Sequence, residues 1–341
     1  MEAKIVTASG LAFRPIQAGK FRRLQGAGVS MLSQLLNPQT LSLNARDLGR
    51  VGAGVVASRK IIREFNPDVV FLKGGFVCLP VGLAARLCRV PYVIHESDVT
   101  PGLTNRILAR WAARIAVGFP VKNYPQFEAA QMVFVGSPVR QEILTAHRLE
   151  GLAYFKLSDD RPVVLITGGS QGAAQINNAV MDALPALTEH YQVIHQTGEG
   201  EADRLAFELS RRPALAYPER YRPFAFLVQE MPLALAAADL IIGRAGVGTI
   251  MESAALGKPT VLIPNTGMAG HQVANARVLA RQGAARVLNS DTLTGAKLAR
   301  EVERILGSAE DQKLLSEAIR RLAHPEADRE LAELVLEVGR G

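Results

Sequence analysis

The chain contains little cysteine, few aromatic residues and no long apolar run. Its 341 residues include two cysteines, Cys78 and Cys88, without metal-ligand spacing, so we read both as buried apolar groups in a reducing cytoplasm. Aromatic residues make up 6% of the chain, too few for the stacking platforms that bind single-stranded nucleic acid. No apolar run approaches the roughly 18–20 residues that a membrane span needs.

Positive charge is concentrated in the first half of the chain. Residues 1–150 hold 19 Lys and Arg against 9 Asp and Glu, a balance of +10, whereas residues 151–341 hold 20 against 23, a balance of −3. A basic half suits nucleic acid, an anionic membrane surface or a phosphorylated substrate, and it also suits the ordinary surface of a high-pI protein. Because no nucleic-acid-binding module is recognisable, we expect no nucleic acid among the partners.

Short apolar runs alternate with helical patterns along the whole chain. In the first half the strand-like runs are residues 11–16, 68–72, 91–95, 115–117 and 132–135, and helical patterns include residues 53–65 and 103–113. The alternation resumes from residue 163 to about 288, and residues 293–341 are typical of helices broken by Pro325. Such alternation predicts an α/β protein whose parallel sheets are covered on both faces.

The pattern loosens once, between the two alternating regions. We therefore predict a first domain at residues 1–145, a linker at 146–160, a second domain at 161–322 and a C-terminal helix at 323–341. Two doubly wound domains side by side place a cleft at the carboxyl ends of their sheets, where ligands bind.

A glycine-rich turn, residues 168–172, follows the apolar run 163–167 and precedes a helical pattern. Glycines such as Gly169 let the backbone approach a phosphate at a helix start, and Ser170 adds a hydroxyl donor beside Gln171. A tight turn without a ligand would have the same sequence.

A second turn follows the run 239–243, with Gly246 and Gly248 ahead of another helix. Two such turns, the second followed by a carboxylate on its helix, predict a nucleotide-diphosphate site. Glu252 could accept both hydroxyls of a ribose, or it could lie on the helix surface. Arg244 could pair with phosphate or cap the preceding helix.

Three further clusters follow predicted strands. His271 and Gln272 open a helix and suit sugar hydroxyls, although alone they would be read as a helix start. In the first half, another glycine-rich turn consists of Gly74, Gly75 and Phe76.

His95 and Asp98 are titratable groups at the end of the strand 91–95, where acids and bases are often placed. A buried structural histidine is the alternative interpretation of His95.

Taken together, these motifs resemble the MurG-type glycosyltransferases of peptidoglycan synthesis. The resemblance runs through residues 72–76, 95–98, 101–105, 136–140, 168–172, 244–246 and Glu252. It implies the GT-B fold, in which two Rossmann-like, doubly wound domains face a cleft and the last helix crosses back to the first domain. It also implies inverting transfer, without metal or cofactor, of N-acetylglucosamine from UDP-GlcNAc to the undecaprenyl-diphosphate-linked muramyl-pentapeptide, giving lipid II.

The resemblance also implies roles on the donor side. The matching positions are Ser170 and Arg140 for the diphosphate, Glu252 for the ribose, Leu227 near the backbone that reads uracil, and Gln272 for the sugar hydroxyls. The chain departs from the family at His271, Asp98 and Phe76, where glutamine, asparagine and tyrosine are usual. These departures bear on the identity of the sugar and leave the nucleotide site intact.

In the family, a strand, a glycine-rich loop and a helix precede the segment that residues 1–6 resemble. We therefore expect about 30–50 further residues before Met1, since a β-α-β unit takes about 30 or more. The family's catalytic base, a histidine, lies in that loop, so we expect the first domain to be incomplete and catalysis to be inefficient without it. Within the chain, the catalytic residue is unknown, and His95 and Asp98 are the candidates to test.

Expected partners are UDP-GlcNAc, the undecaprenyl-diphosphate-linked acceptor and an anionic membrane surface at the cytoplasmic face, with cell-wall synthesis proteins as further candidates. Residues 20–24 and 31–36 mix cations with apolar side chains, as an interfacial patch does, or form an amphipathic helix that faces the core. Two other functions stay open: a UDP-GlcNAc 2-epimerase-like isomerase and a non-catalytic UDP-sugar-binding remnant.

Overall fold

The computed structural model describes residues 6–7, 10–19, 38–169, 173–266 and 270–341. These residues form two compact units. The first unit contains the described residues up to Ser97, Pro101–Val135 and Arg329–Gly341, and the second contains Asp98–Thr100 and Gly136–Asp328.

The first unit is built on a parallel sheet with the strand order β1-β2-β3-β4. Its strands are β1 (Val70–Leu72), β2 (Tyr92–Glu96), β3 (Arg114–Val117) and β4 (Met132–Phe134), and its helices include α1 (Pro38–Phe65), α2 (Cys78–Cys88) and α3 (Leu103–Leu108). Every residue of β2 is buried, as expected for an inner strand of a parallel sheet. The predicted strands 68–72, 91–95, 115–117 and 132–135 are thereby confirmed.

The predicted strand at residues 11–16 is wrong. This segment has no regular secondary structure, and Leu11 and Phe13 are exposed. A half-buried strand places alternate side chains in the core, whereas this run buries neither set, and Pro15 removes a backbone donor from any ladder. The two cysteines also differ from expectation, because both are partly exposed rather than buried.

The second unit is built on a six-stranded parallel sheet, again with helices between the strands. The strands are β5 (Val163–Thr167), β6 (Gln192–Gln196), β7 (Tyr221–Phe224), β8 (Leu240–Gly243), β9 (Thr260–Leu262) and β10 (Arg286–Val287). The helices that precede or connect them are α4 (Gln141–Thr145), α5 (Arg148–Phe155), α6 (Ala174–His190), α7 (Ala202–Arg211), α8 (Met231–Ala237), α9 (Val247–Leu256) and α10 (His271–Arg281).

The strand order of this sheet is β10-β9-β8-β5-β6-β7. The chain therefore winds outward from β5 in one direction through β6 and β7, and in the other through β8, β9 and β10. A doubly wound sheet binds ligands where its winding reverses, beyond the carboxyl ends of the two central strands. In this unit that point lies between β5 and β8.

Two apolar clusters cover the two faces of this sheet. Ile166 and Val180 belong to one cluster, which continues onto α11 (Gly295–Leu306) and α12 (Ala309–Arg320), whereas Leu165 belongs to the other. The predicted linker at residues 146–160 differs from the structure, because it contains α5. Leu152 and Phe155 of that helix are buried in the second cluster, so this segment is part of the second unit.

The chain ends in α13 (Ala327–Arg340), after Pro325 as the sequence predicts. Leu331 and Leu334 of this helix pack against Val93, Ala116 and Val135 of the first unit. Among the helices in the described part of the chain, none combines the length and the apolar character of a membrane span.

Candidate functional site

A cavity of about 260 Å3 opens at the carboxyl edge of the second sheet, at the reversal of winding between β5 and β8. Four of the predicted donor-site residues line it, namely Arg140, Gly169, Leu227 and Glu252. These residues come from four separate segments of the sequence, and the parallel sheet brings them together because each segment follows or flanks a strand end.

Arg140 immediately precedes α4 and reaches the segment that follows β7. Its Nη1 donates a hydrogen bond to the carbonyl oxygen of Val228 at 3.0 Å. The backbone N–H of Val228 in turn donates to Oε2 of Glu230 at 3.2 Å. Arg140 therefore holds the backbone next to Leu227 and keeps its positive charge on the wall of the cavity.

Glu252 lies on α9, the helix that begins at Val247 after the second glycine turn. Burial raises the pKa of its carboxyl group, and the positive charge of Arg140 lowers it in opposition. A carboxylate at the wall of a cavity can accept hydrogen bonds from two adjacent hydroxyls. The placement fits the ribose role that the resemblance implies.

The first glycine turn begins at the end of β5. Gly169 has φ of +83°, a left-handed conformation that glycine adopts without strain, and its N–H donates to Oγ1 of Thr167 at 3.1 Å. Ser170 and Gln171, predicted to contact the diphosphate, lie outside the described residues. Helix α6 begins at Ala174, and the first N–H groups of a helix have no acceptor within the helix itself.

Gln196, at the end of β6, is one of the cavity residues that the sequence-based prediction missed. Its side chain is 2% exposed, its Nε2 donates to the carbonyl oxygen of Gly169 at 3.1 Å, and its Oε1 accepts from the N–H of Leu227 at 3.2 Å. The available signal was a polar residue at the carboxyl end of an apolar strand. Thr167, Phe226 and Thr249 line the same cavity and were also missed.

Arg244 follows β8 and does not line this cavity. Its Nη1 donates to the carbonyl oxygen of Ile263 at 3.1 Å and its Nη2 to Oε1 of Gln175 at 3.0 Å. Burial lowers the pKa of the Arg244 guanidinium. Arg244 thus joins the second glycine turn to the end of β9 and to the start of α6.

The remaining donor-side candidates gather at the start of α10. His271 donates from Nδ1 to the carbonyl oxygen of Thr100 at 2.8 Å, and Oε1 of Gln272 accepts from the N–H of Asn265 at 2.9 Å. Asp98 accepts from Nδ2 of Asn275 at 2.8 Å.

Asn275 is fully buried, and both the nitrogen and the oxygen of its side-chain amide make hydrogen bonds to the segment 98–100. Its Nδ2 donates to Asp98 and to the carbonyl oxygen of Ala245 at 3.1 Å, while its Oδ1 accepts from the N–H of Val99 at 3.0 Å. Asp98 therefore belongs to the second unit, although its neighbours in sequence belong to the first.

The acceptor-side candidates lie in the first unit, between β1 and α2. Gly74 and Gly75 have φ of +97° and +82°, and the ring of Phe76 is exposed. The left-handed conformation of both residues favours glycine, and a Cβ atom on Gly74 would lie only 3.0 Å from Nδ2 of Asn105.

His95 is a fully buried residue of β2. Its Nδ1 accepts a hydrogen bond from Nζ of Lys73 at 2.7 Å, and its ring stacks on Phe71 with centroids 6.5 Å apart. The structure thus places His95 and Asp98 in different units, although they are three residues apart. Among the described residues, no group of three or more His, Cys, Asp and Glu side chains could hold a metal ion.

Comparison with known proteins identifies relatives of both halves of the chain. The profile of the glycosyltransferase family 28 N-terminal domain matches residues 1–117, and that of the C-terminal domain matches residues 163–331. The UDP-N-acetylglucosamine–N-acetylmuramyl-(pentapeptide) pyrophosphoryl-undecaprenol N-acetylglucosamine transferase of Bacillus subtilis is 36% identical over 341 residues, covering 99% of this chain and 88% of the relative. Transferase 2 of that name from Bacillus cereus is 38% identical over 309 residues, covering 89% and 80%.

Solved structures give the same assignment of fold. The crystal structure of Acinetobacter baumannii MurG has a TM-score of 0.72 at 25% identity, covering 99% of this chain and 88% of that one. A UDP-GlcNAc 2-epimerase from Neisseria meningitidis bound to UDP-GlcNAc has a TM-score of 0.63 at 13% identity, covering 89% and 84%. At that identity the second likeness concerns the fold alone. The predicted two-domain α/β class of GT-B type is confirmed.

Proposed function

This chain belongs to the MurG family of glycosyltransferases, as its motifs predicted, and we propose that it transfers N-acetylglucosamine from UDP-GlcNAc to an undecaprenyl-diphosphate-linked muramyl-pentapeptide. The product of that reaction is lipid II, the precursor of peptidoglycan. The proposal rests on one structural observation above the others, which is the meeting of Arg140, Gly169, Leu227 and Glu252 at one cavity.

In this proposal, the ribose, the uracil and the diphosphate of a UDP-sugar each contact different residues of this cavity. The Glu252 carboxylate would accept the ribose hydroxyls, and the backbone around Leu227 would pair with the uracil edge. The diphosphate would lie between the Arg140 guanidinium and the first glycine turn, which combines a left-handed Gly169 with the N-terminus of the 17-residue helix α6.

The transfer is a single displacement at the anomeric carbon, with inversion. An acceptor hydroxyl forms the new bond to that carbon and loses its proton to a base, while the bond to the UDP oxygen breaks and the electron pair leaves with UDP. Negative charge grows on the leaving diphosphate in the transition state. Arg140 and the N–H groups at the start of α6 would stabilise that charge, because both are fixed before the reaction begins.

The sugar would extend from the diphosphate toward the start of α10. Gln272, His271 and Asp98 lie in this region of the second unit and carry the polar groups that a hexosamine requires. Asp98 offers a carboxylate where the family has an amide, so a hydroxyl group of the transferred sugar would donate a hydrogen bond to it. The identity of the sugar is therefore best tested by competition between UDP-GlcNAc and other UDP-hexoses.

We place the protein at the cytoplasmic face of the membrane as a peripheral protein. In support, a cavity of about 710 Å3 in the first unit is lined by two arginines, Arg106 and Arg110, against one acidic residue, Glu128, and by two glutamines and apolar side chains that include Leu103. Nearby, Arg86 lies 4.5 Å from the ring centroid of the exposed Trp111. Arginine next to exposed aromatic and aliphatic side chains suits an anionic lipid surface. The interfacial patch predicted at residues 20–24 and 31–36 lies outside the described residues.

The test is transfer of labelled N-acetylglucosamine from UDP-GlcNAc to a lipid-diphosphate muramyl-pentapeptide acceptor in detergent micelles. We expect one product that requires both substrates, and a large loss of donor affinity in the Glu252→Ala variant. Conversion of UDP-GlcNAc to UDP-N-acetylmannosamine in the absence of acceptor would instead assign an epimerase. Binding of UDP with no turnover of either kind would contradict catalysis by this chain.

A further inference from the structure

The backbone segment 226–228 and the first glycine turn belong to different parts of the sequence, yet one side chain joins them. Gln196 donates from Nε2 to the carbonyl oxygen of Gly169 and accepts at Oε1 from the N–H of Leu227. Its two distances, 3.1 and 3.2 Å, lie at the long end of the hydrogen-bond range, so a shorter side chain could not span the gap.

The Gln196 side chain is buried, and both ends of its amide are hydrogen-bonded. Gln196 is 2% exposed and Leu227 is 4% exposed, so these two residues cannot exchange their mutual hydrogen bond for one with bulk water, whereas Gly169 at the other end of the amide is exposed. A buried polar group that loses its partner costs more than the hydrogen bond contributes. The glutamine therefore fixes the spacing between the two backbone segments rather than merely touching both.

The position of Gln196 in the sheet explains why it can do this. It is the last residue of β6, which pairs with β5 on one side and with β7 on the other. The glycine turn leaves the end of β5 and the segment 226–228 leaves the end of β7. Because β6 lies between β5 and β7, a side chain at its end is next to both segments.

We propose that Gln196 is a positioning residue of the donor site, which sets the distance between the base-side backbone at Leu227 and the diphosphate-side turn at Gly169. The inference rests on the proposed function, because it assumes that a nucleoside diphosphate spans both segments. Gln196 acts through these two segments and not on the reacting atoms.

The experiment compares Gln196→Met and Gln196→Asn with Gln192→Met. Gln192 begins the same strand and is also buried, at 3% exposed, but its amide bonds to Ser158 and Arg161 away from the cavity. Both exchanges to Met remove a buried amide from β6, so both lower the thermal unfolding midpoint. Gln196→Asn keeps an uncharged amide that is one methylene too short to reach both segments, and it serves as a second variant in which the same contact is broken without introducing an apolar side chain.

We measure the Kd for UDP by calorimetry, and kcat with separate KM values for donor and acceptor in the transfer assay. For both Gln196 variants we expect the UDP Kd and the donor KM to rise about tenfold, as the loss of two hydrogen bonds implies, with an unchanged acceptor KM. In Gln192→Met these constants should change less than about twofold. Partial unfolding alone would lower kcat through the active fraction and leave both KM values as they were.

The inference is overturned if the UDP Kd of the Gln196 variants changes no more than that of Gln192→Met, or if the unsubstituted chain binds no UDP. It survives a failure of the proposed function, because UDP binding that depends on Gln196 but not on Gln192 supports it even without transfer.

Discussion

Arg140 and Glu252 line the same cavity, where burial and the positive charge of Arg140 have opposed effects on the Glu252 carboxyl group. Burial raises the pKa of Glu252, whereas the guanidinium of Arg140 lowers it. The net result is a carboxyl group that takes up a proton more readily than an ordinary glutamate. Donor binding that needs the carboxylate should therefore depend on pH.

We expect the Kd for UDP-GlcNAc to rise as the pH falls through the pKa of Glu252, beginning at a higher pH than an unperturbed glutamate would give. The sign follows because the raised pKa lets the weaker-binding protonated form appear earlier on acidification. The measurement is a pH series of Kd values with UDP-GlcNAc, whose diphosphate is esterified at both ends. Glu252→Gln, which cannot titrate at this position, should bind more weakly and show no such rise in Kd on acidification. An unchanged rise in this variant would assign the titration to another group.

Removing the guanidinium should have two separable effects. In Arg140→Met we expect the donor KM to increase about tenfold or more, because a charged contact to the diphosphate is lost. The rise in donor Kd that we attribute to protonation of Glu252 should also begin at a higher pH, because the charge that lowers its pKa is gone. The matched control is Arg204→Met, which removes an arginine paired with Glu201 and Glu208 on the surface of the same unit. Neither effect should appear there.

Much of this site could be predicted from the sequence, because its signals are local. The turn at Gly169 and the carboxylate of Glu252 each lie beside a strand whose apolar run is easy to recognise. Gln196 was not predicted, because its role depends on the sheet order, which places β6 between β5 and β7. The strand prediction for residues 11–16 was wrong for the opposite reason. The run is strand-like locally, but its apolar side chains Leu11 and Phe13 are exposed.

Gly136 is required for space as well as for conformation. Its φ is +72°, and an added Cβ atom would lie 2.5 Å from Cβ of His324. Gly283 has a similar φ of +66° with no atom within 4 Å of that position. We expect Gly283→Ala to cost about 1–2 kcal/mol of unfolding free energy from backbone strain, and Gly136→Ala to cost at least about 1 kcal/mol more from overpacking. Chemical denaturation of both variants checks this order, and equal losses would mean that His324 moves aside without cost.

Charge reversal in the first unit should weaken membrane binding. Arg106→Glu with Arg110→Glu changes two cations of the 710 Å3 cavity, and we expect binding to anionic vesicles to fall at least about tenfold, since each basic residue near the surface contributes about 1 kcal/mol. The control, Arg300→Glu with Arg321→Glu, changes the net charge by the same amount at exposed positions of the second unit. Sedimentation with phosphatidylglycerol vesicles measures both, and an equal effect would mean that only net charge matters.

Asn275 binds Asp98 and Val99 although some 176 residues separate it from Val99 in the sequence. If residues 136–328 were produced alone, the buried Asn275 amide would lose both of these partners. The unit that we assign to donor binding is consequently not one continuous stretch of the sequence, and residues 136–328 alone do not contain all of it. A chimera that exchanges this unit between relatives would have to carry residues 98–100 with it, or replace Asn275 at the same time.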